Sequence, residues 1–373
     1  MNFSIKKNEL HNALSIASHA ISTNSPQPAL RGIMITANDD SLSIKATDGD
    51  VSIFVDIPKT EENQLNIVEK GELLLEAKYL LEIVKKIDSD EINIETLDGT
   101  LTKFSGTSAQ FKMNGMRTQD YPNIVSFEPD VKFDLKNSDL IQIIDQTVFA
   151  TSSKDTRPIL TGVNFALNNN ELVCTATDSY RLAKKKIPFE NSNSFNVTIP
   201  AKTLNEVKST MLQVGDDEVE IGLSDKRALF VNSKMQIQTR LLEGMYPETD
   251  RLIPNEFPYE LKVNRHDLMS AIDRSQFIKN DNMTINRLQC SSGEVVLTNK
   301  NQEVGEFHEE LAASFTGNPL DISFAANYVL DAAKALNGQD LSIKFTGEMK
   351  PFILTSTEDD EILQLVLPVR TYN

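Results

Sequence analysis

"KATDGD" at residues 45–50 and "CTATDSYRLAKKK" at 174–186 both contain Ala-Thr-Asp, 130 residues apart. The recurrence belongs to a longer register. At the same offset the chain pairs Phe3 with Phe133, Leu10 with Leu140, Pro28 with Pro158, Leu30 with Leu160, Gly32 with Gly162, Leu42 with Leu172 and Pro58 with Pro188. Identities kept in step over such a length mean duplication.

The last third repeats the plan more loosely. "YELKVNRHDLMSAIDRS" at 259 echoes "FDLKNSDLIQIIDQT" at 133, and "GEVVLTNKNQ" at 293 echoes "NELVCTATDS" at 170. There Thr-Asp has become Lys300-Asn301, so the third copy is expected to manage without the acid. Proline-bearing stretches at 120–130 and 246–258 read as linkers, which sets expected domains at 1–125, 126–252 and 253–373.

Each third carries two amphipathic helices. The first has apolar stripes through Leu10, Ala13, Leu14, Ala17 and Ile21, then Leu140, Ile143, Ile144, Thr147 and Val148, then Leu268, Ala271, Ile272 and Ser275. The second runs through Leu80, Ile83, Val84 and Ile87, then Leu204, Val207 and Met211, then Val329, Leu330, Ala333 and Leu336. Between them lie short alternating runs such as "VSIFVDI", "EVEIGL" and "LSIKFTG". Several strands per helix predict an α+β fold of antiparallel sheets with helices on one face.

With 373 residues, 40% hydrophobic and 24% charged, the chain is globular and too long for one core. Two cysteines 116 residues apart, Cys174 and Cys290, are expected to be free buried thiols, since a disulfide scaffold or zinc site needs more of them. The opening "MNFSIKKNELHNALSIASHA" is amphipathic, without the apolar core and small-residue site of a signal peptide. No window reaches the apolar length of a membrane span. A reducing cytoplasm is the expected setting.

A net charge of −17 argues at first against a polyanionic partner. Its distribution changes the argument. The six helical segments, 6–21, 76–88, 136–154, 201–213, 264–279 and 325–337, carry 13 Lys and Arg against 10 Asp and Glu, a net of +3 inside a remainder of −20. If the helices share one side, that side attracts a phosphate backbone without reading bases.

Catalytic equipment is scarce. Paired Asp48 and Asp178 invite comparison with two-carboxylate proteases, but the residue order is wrong and a third repeat has no place in such a dyad. Both are expected to cap tight turns by accepting backbone N–H groups. No phosphate loop, dinucleotide fingerprint, zinc-protease motif or nucleophile elbow occurs. The acidic runs at 88–90, 216–217 and 358–361 read as solvated turns. The C-terminal "EILQLVLPVRTYN" stays apolar almost to its end; "EILQLV" reads as a strand, and Pro368 then leaves Leu367 and Val369 available to line a groove.

"ALRG" and "ILTG" before the paired "ATD" turns, "ATDSYRLA", "GMYP" with "RLIP", and "LVLPVR" at the end together resemble the bacterial sliding clamps, the β subunits of DNA polymerase III. The likeness covers the whole chain. It implies three tandem clamp domains and a DNA polymerase processivity factor that is not an enzyme and needs no cofactor. Two copies would pair head to tail into a ring around double-stranded DNA, with helices on the inner face and sheets outside. Twelve helices about 10 Å apart give a circle about 38 Å across their axes, leaving a hole of about 28 Å, enough for a duplex. The implied partners are DNA of any sequence, a second copy, the polymerase III alpha subunit, the clamp loader, and other polymerases and repair proteins carrying short linear motifs.

The resemblance also implies residues. The peptide-binding groove maps to Leu160, Thr177, Ser179, Tyr180, Arg181, Leu182, Pro247, Arg251, Leu252, Val366, Leu367, Pro368, Val369 and Arg370. Tyr180 stands where some relatives have a smaller or differently polar residue. DNA-facing positions are Lys78, Lys154, Arg157, Lys202 and Lys208, while Asn24 stands where some clamps have Arg. For ring closure, Phe111 and Met113 would pack on Phe277 and Ile278 of the other copy, with Lys78, Lys103 and Lys112 facing Glu303, Glu306 and Glu310. A competing reading is an acidic peptide-binding repeat scaffold that never encircles DNA.

Overall fold

The computed structural model describes residues 1–190, 194–279 and 283–370. Among them are six α-helices: α1 Lys7–Ser18, α2 Ala77–Lys86, α3 Asn137–Thr147, α4 Ala201–Val214, α5 Arg265–Ser275 and α6 Ala326–Ala335. Each lies within a segment where a stripe predicts one, and the stripes are buried, from Leu10 and Leu14 through Leu80, Leu140, Leu204 and Leu268 to Val329. Thr147 and Ser275 are buried at stripe positions. Their hydroxyls donate back along the helix to Ile143 O (2.6 Å) and Ile272 O (2.7 Å), so the polar atoms are satisfied locally.

The chain forms two compact units, one of residues 1–140 with 202–241, the other of 141–201 with 242–373. Within the first unit an eight-stranded antiparallel sheet runs Val131–Lys136, Glu218–Leu223, Arg227–Val231, Met235–Arg240, Val51–Pro58, Ser41–Thr47, Gly32–Ala37, Gly71–Glu76. A five-stranded sheet accompanies it and ends on the edge strand Gln110–Asn114. Helix α1 packs on α2 and on strands of both sheets.

Within the second unit a nine-stranded sheet runs Phe195–Pro200, Gly162–Asn168, Glu171–Thr177, Arg181–Pro188, Ile362–Val366, Phe352–Ser356, Asp340–Phe345, Tyr259–Asn264, Ala313–Thr316. A four-stranded sheet ends on the edge strand Gly305–Glu310. Helices α5 and α6 pack on each other and against strands of both sheets. Cys174 and Cys290 are free and buried, and burial pushes the Cys290 thiol up to about 12. No helix among the described residues is long and apolar enough to cross a membrane.

Two repeated features acquire physical reasons. Gly162 lies against its neighbouring strand so closely that a Cβ would collide with the Ile199 carbonyl, and one on Gly32 would come within 2.8 Å of Leu74. Both glycines let the 3-10 turns Pro28–Arg31 and Pro158–Thr161 enter their sheets directly. The Asp turns cap as expected. Asp48 Oδ1 accepts from Asp50 N (3.0 Å) and Val51 N (2.8 Å), and Asp178 Oδ1 from Tyr180 N (2.9 Å) and Arg181 N (3.0 Å).

The third copy manages without the acid, as expected, by substituting an amide. Asn301 Oδ1 accepts from Glu303 N (2.7 Å) and Val304 N (2.9 Å), the same two offsets. The turn keeps its cap because the cap needs only an acceptor oxygen, which an amide supplies as well as a carboxylate.

Candidate functional site

In the second unit the strands Arg181–Pro188 and Ile362–Val366 pair antiparallel, with Leu182 opposite Leu365 and Arg181 opposite Val366. Residues separated by more than 180 positions thereby share one sheet face. Leu182, Ile353 and Leu365 are buried together there, with Ile253, Phe257, Leu363 and Leu367 partly buried against them. The strand period of two explains the membership, since 363, 365 and 367 alternate onto this face and Ile362 and Val366 join the core beneath the helices.

The turn at 177–181 sits beside this cluster and is held from several sides. Thr177 N–H donates to the Tyr246 hydroxyl (3.0 Å), and Thr177 Oγ1 donates to Arg181 O (2.6 Å) and accepts from Ser179 N (3.1 Å). Burial pushes the Tyr246 hydroxyl well above its ordinary range, so it stays protonated. Ser179 takes a positive φ of 78°, which presents Tyr180 outward with 59% of its surface exposed. The C-terminal tail is pinned alongside: Leu367 N–H donates to Tyr180 O (2.9 Å) and Val369 N–H to Ser323 O (2.8 Å).

Several expected groove residues therefore converge: Thr177, Ser179, Tyr180 and Leu367 on turn and tail, with Leu182 beneath. Pro247 follows Tyr246, and Leu252 is 53% exposed. Arg251 and Arg370 are exposed, and Arg251 pairs with Glu248 at 3.2 Å.

Three assignments need correction. Arg181 is not a rim cation, because its guanidinium donates to Asp178 Oδ2 (3.0 Å), Asp331 Oδ2 (2.7 Å) and Phe149 O (2.5 Å) and lies over the rings of Phe149 and Tyr328. It is an internal clamp between the turn and α6. Val366 is buried on the opposite sheet face, and Leu160 is buried in the turn Pro158–Thr161 with its carbonyl accepting from Ser152 N. Sequence reasoning missed Leu365, Ile353 and Tyr246. Alternation along "EILQLVL" marks Leu365, and the recurrence of Tyr-Pro in both linkers, Tyr121-Pro122 and Tyr246-Pro247, marks Tyr246.

The first unit contains the same seam with different chemistry. Val51–Pro58 pairs Met235–Arg240, and the pair in register at the position of Leu182 and Leu365 is Ser52 and Gln238. Ser52 Oγ bonds Thr47 Oγ1 (2.8 Å), and Gln238 Nε2 and Arg227 Nη1 both donate to Val125 O (3.3 and 3.0 Å). A cavity of about 250 Å³ lies beside them, between Thr47, Pro122 and Arg240.

The expected closing residues lie on the two terminal edge strands and around them. Phe111 and Met113 alternate with Lys112 on Gln110–Asn114, and Lys103 lies on the adjacent strand. Residues 101–114 hold two lysines and no acid; residues 303–310 hold four glutamates and no Lys or Arg. Glu303, Glu306 and Glu310 are exposed, and Phe277 is 69% exposed. Ile278 is 1% exposed and belongs to its own core, so it is not available to another copy.

Of the expected DNA-facing residues, Lys78, Lys154 and Arg157 are exposed, as is Asn24. Lys202 is exposed but its ammonium donates to Asp48 Oδ2 (2.5 Å), and Lys208 is half-buried on α4. Burial alone would raise the Asp48 carboxyl, but Lys202 and the backbone N–H groups of Val51 and Asp50 hold it below its usual range.

Comparison with known proteins places this geometry. Family models of the DNA polymerase III beta subunit match in three parts: the N-terminal domain over 1–125, the central domain over 134–248 and the C-terminal domain over 250–370. The chain is 37% identical to the beta sliding clamp of Bacillus subtilis (strain 168) and 36% identical to that of a Staphylococcus epidermidis strain, each over the full length of both chains. The crystal structure of the DNA polymerase sliding clamp from Bacillus subtilis superposes with a TM-score of 0.94 at 35% identity, covering both chains entirely. A sliding clamp from Bartonella birtlesii bound to griselimycin superposes at 0.93 with 27% identity, again over both whole chains.

Proposed function

The chain belongs to the family of bacterial DNA polymerase III beta subunits, and from that premise we propose that two copies close head to tail into a ring around duplex DNA. It acts as a DNA polymerase processivity factor, a tether with no catalytic role. The observation that carries the ring is a pair of edge strands of opposite charge, Gln110–Asn114 with Lys112 and its neighbour's Lys103, and Gly305–Glu310 with three glutamates. Unpaired edges are liabilities unless something covers them. Joining one protomer's basic edge to its partner's acidic edge satisfies both ladders, and Phe277 then meets Phe111 and Met113.

Within that ring the three repeats, 1–125, 126–252 and 253–373, each contribute two helices to the inner surface. Lys78, Lys154, Arg157 and Lys208 meet phosphates there without fixing register, so the duplex slides while closure prevents escape. The tether is the apolar cluster of Leu182, Leu365 and Leu367 beside Tyr180, which takes short extended motifs by backbone and side-chain contact. Its users are the polymerase III alpha subunit, the clamp loader, other polymerases and repair proteins in the cytoplasm.

The test is topological. The protein is loaded on nicked circular DNA by its loader, and the circle is then cut. Retention on circles and rapid loss from linear ends is the expected result; equal retention on both would leave ordinary binding and favour the peptide-binding scaffold.

A further inference from the structure

The third repeat differs from the other two at two positions of its Asx turn strand. Aligned on the turn, Asn301 replaces Asp48 and Asp178, and Asn299 replaces the buried Ala46 and Ala176. Both changes install an amide donor, and both donors reach the same place. Asn299 Nδ2 donates to Ser275 O (3.2 Å) and Ile278 O (2.8 Å), and Asn301 Nδ2 donates to Lys279 O (2.8 Å). These carbonyls belong to the turn that follows α5, where Phe277 is held outward between the buried Ser275 and Ile278.

The acceptor half of Asn301 meanwhile fixes Glu303 and Val304 at the head of the edge strand Gly305–Glu310. One side chain thus ties the Phe277 turn to the acidic edge. Aspartate could cap the hairpin but could not donate to a carbonyl; its second oxygen would repel Lys279 O. Alanine at 299 would leave two carbonyls without that donor.

We propose that Asn299 and Asn301 are positioning residues for self-association: they preorganise the Phe277 turn and the 303–310 edge as one rigid closing surface. The inference rests on the reading of that surface as the contact with a second copy. Preorganisation matters because ordering two separate segments at the moment of association would cost binding free energy.

The experiment uses the full chain with Asn301→Asp, which is isosteric and keeps the cap, and Asn299→Ala, which restores the residue type of the other repeats. Sedimentation equilibrium gives the dimer dissociation constant, thermal unfolding gives global stability, and hydrogen–deuterium exchange reports on 275–279. For Asn301→Asp the expected result is a dissociation constant raised about tenfold, faster exchange confined to 275–279, and an unchanged melting temperature. Asn299→Ala should show the same association defect. Undiminished association with a loosened turn would overturn the proposal, and so would association lost only together with global stability. A wild-type chain that stays monomeric at every concentration would instead sink the reading of the surface itself, and the proposal with it.

Discussion

Arg181 shows how far one residue's role depends on its neighbours. A cation beside an apolar strand reads as a rim for peptides, yet its guanidinium is shared among Asp178, Asp331 and the Phe149 carbonyl, with 14% of its side chain exposed. Replacement by Met should destabilise the protein by about 3 kcal/mol, because two carboxylates lose their partner in a partly desolvated site; urea denaturation checks this. Leu367 and Val369 behave differently, since their backbone N–H groups pin the tail whatever the side chain. Leu367→Ala with Val369→Ala should therefore abolish polymerase stimulation while ring formation persists. Loss of the dimer in that variant would show that the tail is structural.

Among elements, the contact of α1 with α4 in the first unit carries a titratable latch. His19 at the end of α1 bonds Glu206 of α4 at 2.6 Å, with Gln213 at 3.5 Å from the other ring nitrogen. The hydrogen bond to Glu206 raises the imidazole above its ordinary 6.5, outweighing burial. A raised folded value means the stabilisation is fully present below the unfolded pKa and lost as pH rises through the folded one. Comparison of wild type with Glu206→Gln should show a stability gap at pH 5.5 that closes toward pH 8.5. The two strand seams make a second contrast at this scale: Leu182 with Leu365 leaves an apolar surface, whereas Ser52 with Gln238 bonds its own linker. Gln364 supports the Leu182–Leu365 seam from beneath, buried and donating to Gln146 O at 3.1 Å, so that apolar surface is fixed to the end of α3.

For the whole molecule the deciding quantity is charge segregation. A net −17 chain can accept a polyanion only where basic groups are concentrated, and its edge strands Gln110–Asn114 and Gly305–Glu310 carry opposite sign. Lys103→Glu with Lys112→Glu should weaken self-association strongly at low salt, and adding Glu306→Lys with Glu310→Lys in the same chain should recover it. Sedimentation at two ionic strengths checks both arms. Because exposed charge pairs are screened, the defect should shrink as salt rises.

Much of the architecture was legible in the chain itself. The 130-residue register, the six stripes and the alternating runs specify repeated helices and strands, because periodicity along the chain is what decides which side of an element meets the core. The Asp turns were legible too, being local. What the sequence could not decide was which long-range partner each polar group would find. That Arg181 would meet Asp331, that Leu365 would lie opposite Leu182, that Ile278 would turn inward and that Asn301 would replace an Asp cap while reaching Lys279 all depend on strands brought together from distant parts of the chain. Local pattern determines the faces of elements; only their assembly determines what those faces touch.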